Sequence, residues 1–173
     1  MKRTVLTYGL ICGAVSSAIL LAIVHYLYTM EFGKEDLLGY TSMVLTALLV
    51  FFGIRSYREN AGVGRFSFGR GVAAGVLITL ISSVIYVAVF QLLYFGLMPG
   101  LGEKYAACMV ERVRTSGATA KEIVEAAEKA RSFKQLFDRP AVNATLTFAE
   151  AFPVGLVATL ASAAILRKKG NVK

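Results

Sequence analysis

Glu150 is the one acid in a run of 27 residues, Pro140 to Leu166, that holds no other Asp, Glu, Lys or Arg. A carboxylate about ten residues into such a run costs roughly 2.5–3.5 kcal/mol to insert into hydrocarbon, so its presence points to a function or a specific partner. Two other side chains in comparable apolar runs have chemistry to offer, His25 (the sole histidine) and Gln91. With Glu150 as acceptor and His25 as titrating partner, the chemistry would be a proton or ion relay. The simpler reading is structural, a hydrogen bond between helices in which Gln91 or a hydroxyl satisfies a protonated Glu150.

Other chemistries find no support in residue types or spacing. There is no Cys-x-x-Cys, His-Glu-x-x-His or Gly-x-Ser-x-Gly, and one His with two separated Cys makes a poor metal-ligand set. The expectation is therefore no metal and no cofactor. Gly62 and Gly64 do not form a phosphate-binding loop, because no Gly-Lys-Ser/Thr follows. Cys12 and Cys108 fall in different regions of the expected topology, so a disulfide between them is not expected.

The elements that must position Glu150, His25 and Gln91 follow from where charge is absent. The chain has 173 residues, 56% hydrophobic and 17% charged, against about 25% charged in ordinary soluble domains. That composition excludes disorder, a basic nucleic-acid binder and an ordinary cytosolic enzyme core. Thr4 to Met30, Leu37 to Ile54 and Gly71 to Gly102 are runs of 27, 18 and 32 residues without a charge. About 20 helical residues cross a bilayer core, and backbone amides in hydrocarbon must be bonded within their own segment. The expectation is an all-α integral membrane protein, a bundle of four transmembrane helices near 4–29, 37–56, 69–97 and 141–166. Lys2 and Arg3 before an apolar run also describe a signal peptide, but this run outlasts a typical signal core, and an uncleaved first helix is expected.

Orientation rests on Lys and Arg. The termini and the 55–70 loop together carry ten and the opposite side nine, but the ten are denser: four in the 16-residue loop and four in the last seven residues. Cytoplasmic N- and C-termini are expected. Arg55, Arg58, Arg65 and Arg70 then enforce that orientation or meet anionic lipid headgroups, each worth about 1 kcal/mol. The opposite side carries residues 99–139 as an extracytoplasmic amphipathic helical hairpin between the third and fourth spans. Thr119 and Glu122 have capping-box spacing, and Ile123, Ala127, Ala130, Phe133 and Phe137 recur at helical steps. Tyr105, Met109 and Val113 mark a shorter helix broken at Ser116-Gly117, while Pro140 ends the longer one. Pro153 offers the fourth span a kink.

Small residues recur every four positions: Gly9 and Gly13, Gly71 and Gly75, then Gly155 with Thr159 and Ala163. Such faces let helices approach closely in lipid, either within one chain or between copies.

The runs Gly39-Tyr40-Thr41-Ser42-Met43, Phe52-Gly53-Ile54-Arg55-Ser56-Tyr57-Arg58 and Ser67-Phe68-Gly69-Arg70-Gly71 with Gly75 resemble a bacterial family of four-pass membrane proteins. This is the domain-of-unknown-function family numbered 4199, commonest in the Bacteroidetes lineage. The resemblance implies the architecture and an inner-membrane location, and supplies no catalytic residue. The leading functional expectation is a non-enzymatic accessory or partner-binding membrane component. The alternative is a small proton- or ion-coupled carrier or channel centred on Glu150. The expected partners are the lipid bilayer, other membrane proteins or a second copy, and no nucleic acid.

Overall fold

The computed structural model describes residues 2–29, 35–60 and 66–167; the 31–34 connection, Arg65 and the C-terminal lysines, on which part of the charge reading fell, lie outside them. Among the described residues every element is helical: α1 (Lys2–Thr29), α2 (Glu35–Asn60), α3 (Phe68–Leu92) extended by a π-helical turn (Leu93–Leu97), α4 (Leu101–Thr115), α5 (Ala120–Phe137) and α6 (Pro140–Leu166). Among the described residues the long apolar runs are helical except at 98–100, where the third turns into α4. Three segments, Lys2–His25, Phe68–Leu97 and Pro140–Leu166, are long and apolar enough to cross a membrane.

Local chemistry sets the boundaries. The Ser67 hydroxyl accepts from the Arg70 amide and opens α3. Thr119 and Glu122 form the expected capping box, with the Thr119 amide donating to Glu122 at 2.7 Å. Gly117, at φ +81°, takes the left-handed conformation that turns α4 into α5. The expected role of Pro140 is corrected: α5 ends at Phe137, and Pro140 is the first residue of α6, where its missing N–H removes no helical bond. Pro153 deprives the Ala149 carbonyl of its helical donor, yet α6 runs unbroken through it.

α1 packs on α2 and α3, α3 on α6, and α6 on α2, with α2 and α3 also in contact; α4 and α5 pack on each other, and α5 touches α6. The small-residue faces draw the long helices together. A Cβ at Gly9 would lie 2.8 Å from Ile81, and one at Gly13 2.7 Å from Ile85, so the first face is spent on α3. Gly71 faces Ala163 and Gly75 faces Thr159, which spends the second on α6. Gly155 faces Thr79 in return. Intramolecular packing therefore uses all three faces. One apolar core joins Val5, Cys12, Val50, Ile54, Ala74 and Ile78 with Tyr57 and Phe66 at one end; a second joins Leu20, Val24, Leu93 and Leu101 at the other.

The distribution of polarity is inverted relative to a soluble protein. Ser17, Thr79, Ser82, Ser83, Asn143, Thr147, Thr159 and Ser162 are buried, whereas Leu10, Val84, Leu92, Val157 and Ile165 are exposed. Large exposed apolar surface of this kind marks contact with something other than water.

Candidate functional site: a hydroxyl-lined cavity beside Glu150

Helical spacing brings a polar stripe on α3 together with residues of α1, α2 and α6. On α3, Thr79, Ser82, Ser83 and Tyr86 fall at steps of three and four and share a face. Ser16 on α1 and Thr46 on α2 meet it from the opposite side, their hydroxyl oxygens 3.4 Å apart. Glu150, Ala151, Val154 and Gly155 supply the face of α6. Between them lies a cavity of about 110 Å³. Ser82 donates to the Thr79 carbonyl at 3.0 Å, and the Thr79 and Thr159 hydroxyls pair at 3.3 Å just beyond the cavity wall. Glu150 sits at the rim, solvent-exposed on the outer surface of the bundle.

The expected trio does not gather around this cavity. Gln91 donates instead to the Asn143 side-chain oxygen at 2.9 Å and to the Pro140 carbonyl at 3.2 Å. Asn143 is fully buried and donates to the Phe137 carbonyl at 3.1 Å. This pair ties α3 to the α5–α6 junction, and each buried amide group is satisfied rather than left to cost about 1–3 kcal/mol. His25 is exposed near the end of α1 and does not line the cavity.

Beside the amide pair lies a charged junction. Tyr94 donates to Asp138 at 2.8 Å, and Lys134 reaches Asp138 at 2.7 Å and Glu103 at 2.9 Å. Bonds from Lys134 hold the Asp138 and Glu103 carboxyls below their ordinary values, and the same bonds push Lys134 up. The network joins the π-helical turn, α4 and the end of α5. Gly102 makes room for it, since a Cβ there would collide with the Tyr94 hydroxyl.

At the other end, the arginines separate into distinct roles. Arg58 donates to the Leu166 carbonyl at 3.4 Å, placing a cation on the C-terminal end of α6, where the helix dipole favours it. Arg55 pairs with Glu59 at 2.9 Å in an exposed bridge of little energetic weight. Arg70 is exposed in the first turn of α3, where a cation works against the dipole. Its position therefore has no local stabilising cause.

The sequence pattern marked Glu150 but not its surroundings. Thr79, Ser83, Tyr86 and Asn143 carry no comparable mark in the sequence, being uncharged residues within apolar runs. The available signal was the three- and four-residue spacing of hydroxyls through an apolar run, together with a lone amide near the start of the fourth. Among the described residues no group of three or more His, Cys, Asp or Glu could hold a metal ion. Cys12 is buried and Cys108 half-buried, and they are not bonded to each other.

No curated protein and no solved structure matches the chain. A family model does, over residues 7–168, which takes in every long helix and the α4–α5 pair: the chain belongs to the family described as Protein of unknown function (DUF4199).

Proposed function

We propose that the chain is a non-enzymatic, four-pass component of a bacterial cytoplasmic membrane, with both termini in the cytoplasm and the α4–α5 pair outside, acting as an accessory or partner-binding subunit. The observation that carries the reading is the inverted polarity, with hydroxyls and an amide inside and large apolar side chains outside. α2 shares it. Val44, Leu45, Leu48 and Phe52 are exposed on its outer surface while Val50 and Ile54 are buried, which supports a fourth crossing. Lys2, Arg3 and Arg70, each in the first turn of a helix, work against local helix stability and suit the positive-inside rule. The partner-binding surface is the α4–α5 pair, on which Tyr105, Val124 and Leu136 remain half-exposed.

The carrier reading draws on one observation, the cavity beside Glu150. Proteoliposomes carrying the wild type or Glu150→Gln separate the two. An accessory subunit gives no Glu150-dependent proton flux, and both proteins cross-link to the same neighbours in native membranes. Flux abolished by the substitution would replace this reading with a carrier.

A further inference from the structure

Glu150 belongs to a face of α6 that the other described helices leave open. Leu146, Glu150, Pro153, Val157, Leu160 and Ala164 follow one another at steps of four and three, and each of them is exposed. That spacing is the seam along which one helix packs on another. The apolar members suit lipid, and the carboxylate does not. Acids in membrane spans face a bundle interior, a water-filled cavity or a partner, because hydrocarbon does not solvate the charge. Glu150 lies about 15 Å into α6, near the middle of a hydrocarbon core of roughly 30 Å. No hydrogen bond or ion pair ties its carboxylate to another described residue. The chain's own apolar runs, Thr4 to Met30, Leu37 to Ile54, Gly71 to Gly102 and Pro140 to Leu166, hold no Lys or Arg to meet it.

We propose that this face of α6 docks one transmembrane helix of a different protein, whose single Lys or Arg lies near mid-span and pairs with the Glu150 carboxylate. Charge complementarity selects the occupant. A lone carboxylate and a lone cation are each costly in hydrocarbon, and pairing relieves both. A proton would cancel the charge and still leave a carboxyl group in lipid without a hydrogen-bond partner. A second copy of the chain brings another Glu150, and the only basic side chain in its apolar runs is His25, close to the end of α1 and away from mid-span. Tyr105 on α4 lies within reach of the same charge: partial burial and then the Glu150 carboxylate raise its hydroxyl above the ordinary value. The open face of α6 therefore adjoins the α4–α5 surface, and one partner can hold both. The assignment rests on the reading of the chain as a partner-binding membrane subunit.

The full chain in its native membranes carries the photoreactive residue benzoylphenylalanine at Val157, on the seam with Glu150, or at Val84, equally open on α3 but with no acid beside it. After irradiation, adducts are separated and the captured segments sequenced by mass spectrometry. Val157 is expected to give one protein adduct, its captured segment an apolar run of about 20 residues with a Lys or Arg near the middle, while Val84 gives lipid adducts alone. Glu150→Gln keeps an acceptor oxygen and should retain the adduct at reduced yield. Glu150→Lys repels the partner's cation and should lower the yield at least tenfold. Glu150→Leu, at home against lipid, should show a similar loss and keeps the comparison open where Glu150→Lys is poorly folded. The proposal is overturned if Val157 captures lipid alone, if the adduct is a second copy of this chain, if the captured segment holds no Lys or Arg, or if Glu150→Lys or Glu150→Leu keeps the wild-type yield. Capture of lipid alone leaves the membrane reading standing, whereas capture of neither lipid nor protein overturns both.

Discussion

Thr79 on α3 and Thr159 on α6 place their hydroxyls 3.3 Å apart, and each lies over a glycine of the partner helix, Thr159 over Gly75 and Thr79 over Gly155. The helices run in opposite directions, so one Gly-x-x-x-Thr motif reads against the other as a reciprocal clasp. Both threonines are almost fully buried. In lipid, where apolar burial gives little advantage between helices, close backbone approach and such a bond are what remain to hold them.

The clasp predicts a graded response to bulk. A Cβ at Gly75 would sit 2.5 Å from Thr159 and 2.7 Å from Ile54, so Gly75→Ala is overpacked and should cost about 1–3 kcal/mol. Gly69→Ala has nothing within 4 Å and should be neutral or slightly stabilising. Reversible unfolding in mixed micelles measures both, and equal costs for the two would contradict the clasp.

The hydroxyl pair has its own signature. In a double-mutant cycle of Thr79→Val and Thr159→Val, the coupling should be about 0.6 kcal/mol, the average for bonds between membrane helices. A coupling indistinguishable from zero would reduce the pair to steric neighbours.

Asn143 should be the least replaceable polar residue in α6. It is fully buried between Gln91 and the Phe137 carbonyl, and Asn143→Leu takes one of two acceptors from the Gln91 amide and the side-chain donor from that carbonyl. A loss of about 2–3 kcal/mol is expected, with Gln91→Leu costing less because Gln91 is only half-buried. The comparison is made by the same unfolding assay.

The junction around Lys134 predicts a pH window for the attachment of α4 to α5. Asp138 and Glu103 have lowered values in the fold, so their contribution is present above the ordinary 3.8 and 4.5 and is lost as pH falls through the lowered values. Lys134 is raised, so its contribution is complete below 10.5 and is lost only as pH rises beyond it. Hydrogen exchange of α4 and α5 amides should therefore be flat through neutral pH, after correction for intrinsic rates, and rise at the acid end. Lys134→Met should raise it several-fold at neutral pH.

The helices were legible because charge-free runs of about 18 residues or more are long enough to cross a bilayer as helices and admit few alternatives. The Thr119–Glu122 cap was legible because its chemistry is local. What could not be read was the rotation of each helix about its axis. Glu150, His25 and Gln91 lie at suitable depths to meet, but Gln91 turns toward Asn143, and the face of α6 bearing Glu150 meets the hydroxyls of α3. Depth follows from counting residues, whereas facing depends on which glycine stripe wins each contact. Pro140 was misplaced for a related reason, since a proline that follows one helix serves equally as the first residue of the next.

The central claim is that α2 crosses the bilayer with α1, α3 and α6. Replacing Cys12 and Cys108 by Ala and adding a single cysteine at Asn60, Gly117 or Arg167 tests it, with a membrane-impermeant maleimide applied to intact spheroplasts. Four crossings predict that Gly117→Cys is labelled from outside, while Asn60→Cys and Arg167→Cys react only after permeabilisation. Labelling of Asn60→Cys and Arg167→Cys from outside, with Gly117→Cys and a further Lys2→Cys protected, would mean three crossings and contradict the account.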